Sequence, residues 1–190
     1  MENVKIVAVV GMSGSGKSTA IKYLEEKGIP SVYFGGVIYK AMEEAGIERT
    51  EDGESEKIFR QEIREKEGKD FVVLRVIDMV KDLVGAGQKR LVLDGLYSWT
   101  EYKILKKEFP GIMTTVAVVC EKRLRHKRVA ERPDRPFDEQ AINERDWSEI
   151  ENLEKGGPIA IADYYIMNNG TIEELHAEVG ELMRKTGFLE

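Results

Sequence analysis

The run Val4-Lys5-Ile6-Val7-Ala8-Val9-Val10 leads directly into Gly11-Met12-Ser13-Gly14-Ser15-Gly16-Lys17-Ser18-Thr19, and a helix-forming stretch follows from Ser18 to about Lys27. Gly11, Gly16, Lys17 and Ser18 satisfy the spacing G-x-x-x-x-G-K-[ST] without substitution. Strand, glycine loop and helix stand in the order that a phosphate-binding loop requires. Glycines let the backbone turn tightly, so that successive N–H groups converge on an anion. The start of the following helix adds its positive dipole end. Lys17 supplies a charge that reaches β- and γ-phosphates, and the Ser18 hydroxyl is suited to Mg²⁺. The whole segment, Gly11 and Ser13 to Thr19, is therefore expected to cradle a nucleoside triphosphate.

The rest of the chain is consistent with one domain of 190 residues and with a full α/β core. Its net charge of −6 argues against attraction of the whole molecule to nucleic acid or anionic lipid. No apolar run approaches the ~20 residues of a membrane span. Met1-Glu2-Asn3 is acidic and runs straight into a strand, unlike a secretory signal, so a cytoplasmic location is expected. Cys120, with no second cysteine, reads as a core thiol in a reducing compartment, with a nucleophilic role as the alternative. His126 and His176 are far apart, and no transition-metal site is expected.

Strand and helix patterns alternate. Short apolar runs at Val4–Val10, Ser31–Phe34, Arg90–Asp94, Thr115–Val119 and Asp163–Met167 read as buried parallel strands. Helices are predicted over Gly16–Lys27, Val37–Ala45, Glu54–Glu67, Phe71–Ala86, Thr100–Phe109, Glu121–Glu131, Glu139–Lys155 and Thr171–Lys185. Thr171 with Glu174 three residues on forms a capping box at the last start. Five strands with helical crossovers imply a doubly wound parallel sheet with helices on both faces. The core is read as residues 1–35, 89–120 and 158–190. Residues 36–88 are read as an acceptor-binding insertion and 121–157 as a lid.

Arg90-Leu91-Val92-Leu93-Asp94-Gly95 ends an apolar strand in an acid. Asp94 then stands at the carboxyl edge of the sheet, where it can hold Mg²⁺ or simply cap the next turn. Arg123, Arg125, Lys127, Arg128, Arg132 and Arg135 crowd a few turns of an otherwise acidic protein. Arg125, Arg128 and Arg132 follow i, i+3, i+7 and would share a helix face. Bound phosphate relieves their repulsion, and Arg128 and Arg132, with Lys17 and Asp94, are the expected catalytic set. The alternative is a solvated basic helix paired with Glu121, Glu131, Asp134 and Asp138. No aromatic residues interleave the arginines, so no base-stacking platform for RNA is present. Pro133 and Pro136 suggest a lid tip.

These features resemble the nucleotide-kinase branch of P-loop proteins. More narrowly, GMSGSGKST at 11–19, LDGLYSWTE at 93–101, RHKRVAER at 125–132, RDWSE at 145–149 and AIADYYIMNNG at 160–170 resemble the archaeal adenylate-kinase-related family, similar in layout to dephospho-CoA kinase. The resemblance implies strand order 2-3-1-4-5 and an arginine lid that closes over ATP. It places Arg125 and Arg128 at lid positions and Arg132 and Arg135 on the phosphates. Arg145 and Asp146 match a pair in the second lid helix, and Asn168 and Asn169 a loop that borders the adenine. Asn169-Gly170 also reads as a simple turn. Two departures fall on the acceptor side. Gly35-Gly36 stand after strand two where relatives carry an acid, and Leu96-Tyr97 follow Asp94-Gly95 where the family has a basic residue.

Tyr39, Lys40, Tyr97, Ser98, Arg60 and Arg64 are the candidates to meet an acceptor. The two arginines equally suit pairing with Glu56, Glu62 and Glu67, and Tyr33 and Phe34 read as core. The expectation is a phosphotransferase that uses ATP and Mg²⁺ on a nucleotide, nucleoside or similar small molecule, as a monomer or small homo-oligomer. Dephospho-CoA kinase and a nucleotide-binding regulatory protein with little turnover are the alternatives.

Overall fold

The computed structural model describes residues 2–50, 54–68, 70–132 and 138–190. In chain order it forms β1 (Lys5–Val10), α1 (Lys17–Glu26), β2 (Ser31–Tyr33), α2 (Phe34–Glu44), α3 (Glu54–Glu67), α4 (Phe71–Gly85) and β3 (Arg90–Asp94). There follow α5 (Trp99–Glu108), β4 (Met113–Val119), α6 (Lys122–Ala130), α7 (Glu139–Glu151), α8 (Gly156–Ala160), β5 (Tyr164–Met167) and α9 (Ile172–Lys185). The sheet is parallel throughout, in the order β2-β3-β1-β4-β5. Both the order and the helices on two faces agree with the sequence.

Alternate residues of each strand supply two cores, as the pleat demands. Ile6, Ala8, Leu91 and Leu93 pack with α2, α4 and α5 on one face. Val7, Val9, Val92, Val116 and Val118 pack with α1 and α9 on the other. The capping box expected at α9, Thr171 with Glu174, closes, and the structure adds a second at α5, Ser98 with Glu101. Among the described residues no helix is long and apolar enough to cross a membrane.

Several boundaries differ from the sequence reading. Phe34 does not close β2; it opens α2, so Gly35 and Gly36 lie in a helical first turn. The glycines read as a break, but a Cβ at Gly35 would strike the Tyr33 ring, which folds back over that turn. Phe34 is buried as expected, whereas Tyr33 is 40% exposed, because Val32 takes the inward position of this three-residue edge strand. Cys120 is half-buried just beyond β4, not a core thiol. Helix α7 stops at Glu151, and the short α8 occupies a Gly-Gly-Pro stretch that reads as loop.

Candidate active site

The parallel register puts the carboxyl ends of β1 and β3 side by side, with Val9 opposite Asp94. The phosphate-type loop from Gly11 to Gly16 leaves β1 here and enters α1. Gly14 and Gly16 take φ of 82° and 103°, which a side chain resists. Among the described residues, the N–H groups of Gly14, Gly16, Lys17, Ser18 and Thr19 have no acceptor, so the loop offers five free donors at a helix start. Lys17 folds over them, its Nζ 3.0 Å from the Met12 carbonyl. Burial, followed by the charge of Lys155, pushes its pKa down to about 7, against the opposing pull of Glu149 and Asp94. An ammonium so short of partners is suited to an anion. Asp94 is half-buried at the end of β3, and burial raises its pKa while Lys17 lowers it. Free amides, an underpaired ammonium, the exposed Ser18 and an acid beside Lys17 form a donor set that fits a polyphosphate with Mg²⁺.

The arginine segment behaves differently from the shared-face expectation. Arg125 is buried, and its guanidinium grips Asp146 through two bonds of 2.7 and 2.6 Å. A third bond, 3.0 Å, goes to the Ser13 carbonyl, so Arg125, expected on the nucleotide, is committed to protein. His126 shares Asp146 at 2.9 Å. Arg128 donates to the carbonyls of Asn168 (2.8 Å) and Gly170 (3.0 Å). Arg132 lies beyond the end of α6, exposed and close enough to act on Lys17 by its charge. Arg135, Pro133, Pro136 and Asp134 lie outside the described residues, as does the side chain of Arg64.

The loop after β5 braces the phosphate loop from the other side. Asn168 is buried and its amide donates to the Ser15 carbonyl at 2.8 Å. Asn169 accepts from the Glu121 N–H at 2.9 Å.

Two residues with no assigned role complete the site. Glu149 of α7 is buried, accepts from the Ser13 N–H at 3.1 Å, and pairs with Lys155 at 2.8 Å. The signal was present in α7: its buried stripe is Ile142, Asp146 and Glu149, spaced i, i+4, i+7, with carboxylates at two positions where a core stripe is apolar. Beside this pair opens a cavity of about 320 Å³, whose walls include Tyr33, Tyr39, Tyr97, Arg60, Arg145 and Lys155. Tyr97 is desolvated, its pKa pushed up to about 12 by burial. Arg145 reaches Glu149 at 3.3 Å from the preceding turn of α7.

A parallel 2-3-1-4-5 sheet with this loop at the end of its central strand defines a P-loop protein of kinase-like fold. The chain belongs to the AAA domain family, which it matches over residues 7–155, and to the archaeal UPF0200 proteins. The UPF0200 protein of Thermococcus kodakarensis is 34% identical over 181 residues, 94% of this chain and 96% of that one. Among solved structures, a shikimate kinase from Bacteroides thetaiotaomicron superposes with a TM-score of 0.61 at 11% identity, over 96% of this chain and 98% of the other. A dephospho-CoA kinase from Campylobacter jejuni does so with a TM-score of 0.58 at 17% identity, over 97% and 98%. These two likenesses are of fold.

Proposed function

We propose that the protein transfers the γ-phosphoryl group of ATP to a nucleotide, nucleoside or similar small molecule held in the cavity beside Glu149 and Lys155. One observation carries the reading: Glu149 belongs to both places, bonded to the Ser13 N–H of the phosphate loop and lining the cavity wall. Donor and acceptor sites thus share a partition one side chain thick. The kinase fold of the neighbours supports the same reading, as does the likeness to adenylate-kinase-related proteins seen in the sequence.

In this reading the free amides of Gly14 and of Gly16 to Thr19 hold the triphosphate tail, and Lys17 follows the migrating group. Ser18 and Asp94 would hold Mg²⁺, which neutralises phosphate charge when bound. Arg132 neutralises further charge, while Arg128, expected on the phosphates, is bound to the carbonyls of Asn168 and Gly170 and fastens α6 to the loop after β5. An acceptor oxygen bonds to the γ-phosphorus as the bond to the β–γ bridging oxygen breaks. The electron pair leaves with ADP, and the acceptor's proton passes to water. The region 121–157 acts as lid and excludes competing water from the partition.

The test is ADP release from ATP and Mg²⁺ with AMP, CMP, dTMP, dephospho-CoA or shikimate as acceptor. At least one compound should raise it well above a Lys17→Ala control. If every acceptor leaves the rate at that control, the reading fails for these substrate classes. Tight ATP binding with such a flat screen points instead to a nucleotide-responsive binding protein.

A further inference from the structure

Lys155 is buried to 6% exposure in the wall that the cavity shares with the phosphate loop. Its Nζ lies 2.8 Å from one oxygen of Glu149 and 4.4 Å from the centre of the Tyr97 ring. The other Glu149 oxygen takes the Ser13 N–H. Lys155 therefore stands two contacts from the phosphate loop. Its charge also lowers the proton affinity of Lys17, more than any other nearby charge does.

The backbone that presents Lys155 is unusual. Glu154 has φ of 53°, a left-handed conformation that side-chain-bearing residues rarely adopt. This residue reverses the chain after α7, and the Lys155 N–H bonds back to the Glu149 carbonyl at 3.1 Å. Strain of this kind persists where the surrounding structure imposes it, and such places cluster at functional sites.

Stability alone does not ask for this arrangement. A buried Lys–Glu pair does no better than apolar filling of the same volume. Glu149 already has Ser13 and Arg145 as partners. The charge of Lys155 disfavours the charge on Lys17, and a multiply charged anion bound by both offsets that cost.

We propose that Lys155 is a second cation for the transferred group, in contact with the γ-phosphoryl oxygens from the acceptor side while Lys17 holds them from the nucleotide side. The proposal rests on the phosphotransferase reading. Lys155 exchanges no proton in the step; the bonds made and broken are those of the phosphoryl transfer itself. Its fixed charge lies where the three peripheral oxygens gather charge in the transition state. Glu149 is the positioning residue that sets the ammonium, and the Tyr97 ring face steadies it.

The experiment is calorimetry on the full chain with two probes, MgADP and MgADP with beryllium fluoride, which mimics the γ-phosphoryl group. Lys155→Met should hold MgADP within about twofold and weaken the beryllium fluoride complex about tenfold or more, the scale of one charged hydrogen bond. Lys155→Arg should recover most of the loss. The double variant Glu149→Gln/Lys155→Met leaves no unpaired buried charge and should show the same split between probes, which guards against a misfolded single variant. Equal loss for both probes, or loss for neither, overturns the proposal. Wild-type protein that fails to bind MgADP overturns the phosphate-loop reading and this proposal together. A clear split with a flat acceptor screen supports Lys155 and overturns phosphotransfer to those acceptors.

Discussion

Arg125 donates to the carbonyl of Ser13 at 3.0 Å, so a helix that reads as a phosphate-gripping lid is fastened to the phosphate loop itself. The N–H of Ser13 is taken by Glu149, so both backbone polar groups of Ser13 are held by helices α6 and α7. The loop is shaped from outside as well as by its glycines.

Arg125→Ala should therefore act first on stability. It leaves Asp146 buried without its bidentate partner, and breaking a buried pair from one side costs about 3–5 kcal/mol. Urea unfolding should register that loss before any nucleotide is added. Arg125→Lys should recover little, because an ammonium cannot reproduce two parallel bonds and a third to Ser13. The pH response follows. Burial raises the Asp146 pKa, but Arg125 and His126 outweigh it and hold the carboxyl below its ordinary 3.8. A depressed acid contributes its stability fully above the ordinary value and loses it as pH falls through the folded-state value. Wild-type protein should lose this increment in strong acid, and Arg125→Ala, which lacks most of it, should lose less.

Gly14 and Gly28 offer a matched pair. Their φ angles are 82° and 80°, so alanine at either carries the same left-handed penalty of about 1–2 kcal/mol. At Gly28 the added Cβ meets nothing within 4 Å. At Gly14 it meets the Arg125 carbonyl at 2.6 Å and a Val129 methyl at 2.7 Å. Gly14→Ala should therefore lower the melting temperature more than Gly28→Ala and weaken ATP binding, while Gly28→Ala leaves binding unchanged. Equal melting temperatures would show that α6 does not press on the loop.

The acid at the end of β3 separates metal from nucleotide. Asp94→Asn should abolish the Mg²⁺ enhancement of ATP affinity, so that titrations with Mg²⁺ and with chelator coincide, a loss of about tenfold. The same change removes an anion that supports the Lys17 charge. A variant that keeps the full Mg²⁺ effect would exclude Asp94 as a metal ligand.

Much of this architecture was open to reading because its determinants are local. Apolar runs such as Val4–Val10 and Leu91–Leu93 announce strands, and the spacing from Gly11 to Ser18 announces the loop between strand and helix. What stayed hidden depends on residues brought together by the fold. Arg125 and Asp146 stand 21 positions apart, and Arg128 and Asn168 stand 40 apart, so the basic stripe looked open to phosphate when two of its arginines were already spoken for. Glu149 and Lys155 meet only because Glu154 turns the chain back after α7. The start of α2 was obscured because glycine usually breaks helices, whereas here Gly35 makes room for the Tyr33 ring.

Lys17 ties proton binding to nucleotide binding. Burial and the charge of Lys155 lower its pKa from 10.5 to about 7 in the free protein. Between those values the unfolded chain holds a proton that the folded chain does not, so this group's contribution to stability rises with pH across that window. Below pH about 7 both states are protonated, and the buried charge weakens the fold in full. A bound triphosphate favours the ammonium and restores the proton. At pH 8, ATP binding should therefore take up close to one proton, seen as a binding heat that varies with the buffer's ionisation enthalpy. Affinity should fall by up to about tenfold per pH unit above 7, until the pKa of the complex is reached. In Lys17→Ala the buffer dependence should vanish, and the ligand-free protein should melt at a higher temperature at pH 6. Wild-type heats that are the same in every buffer at pH 8 would mean that the lysine already carries its proton there.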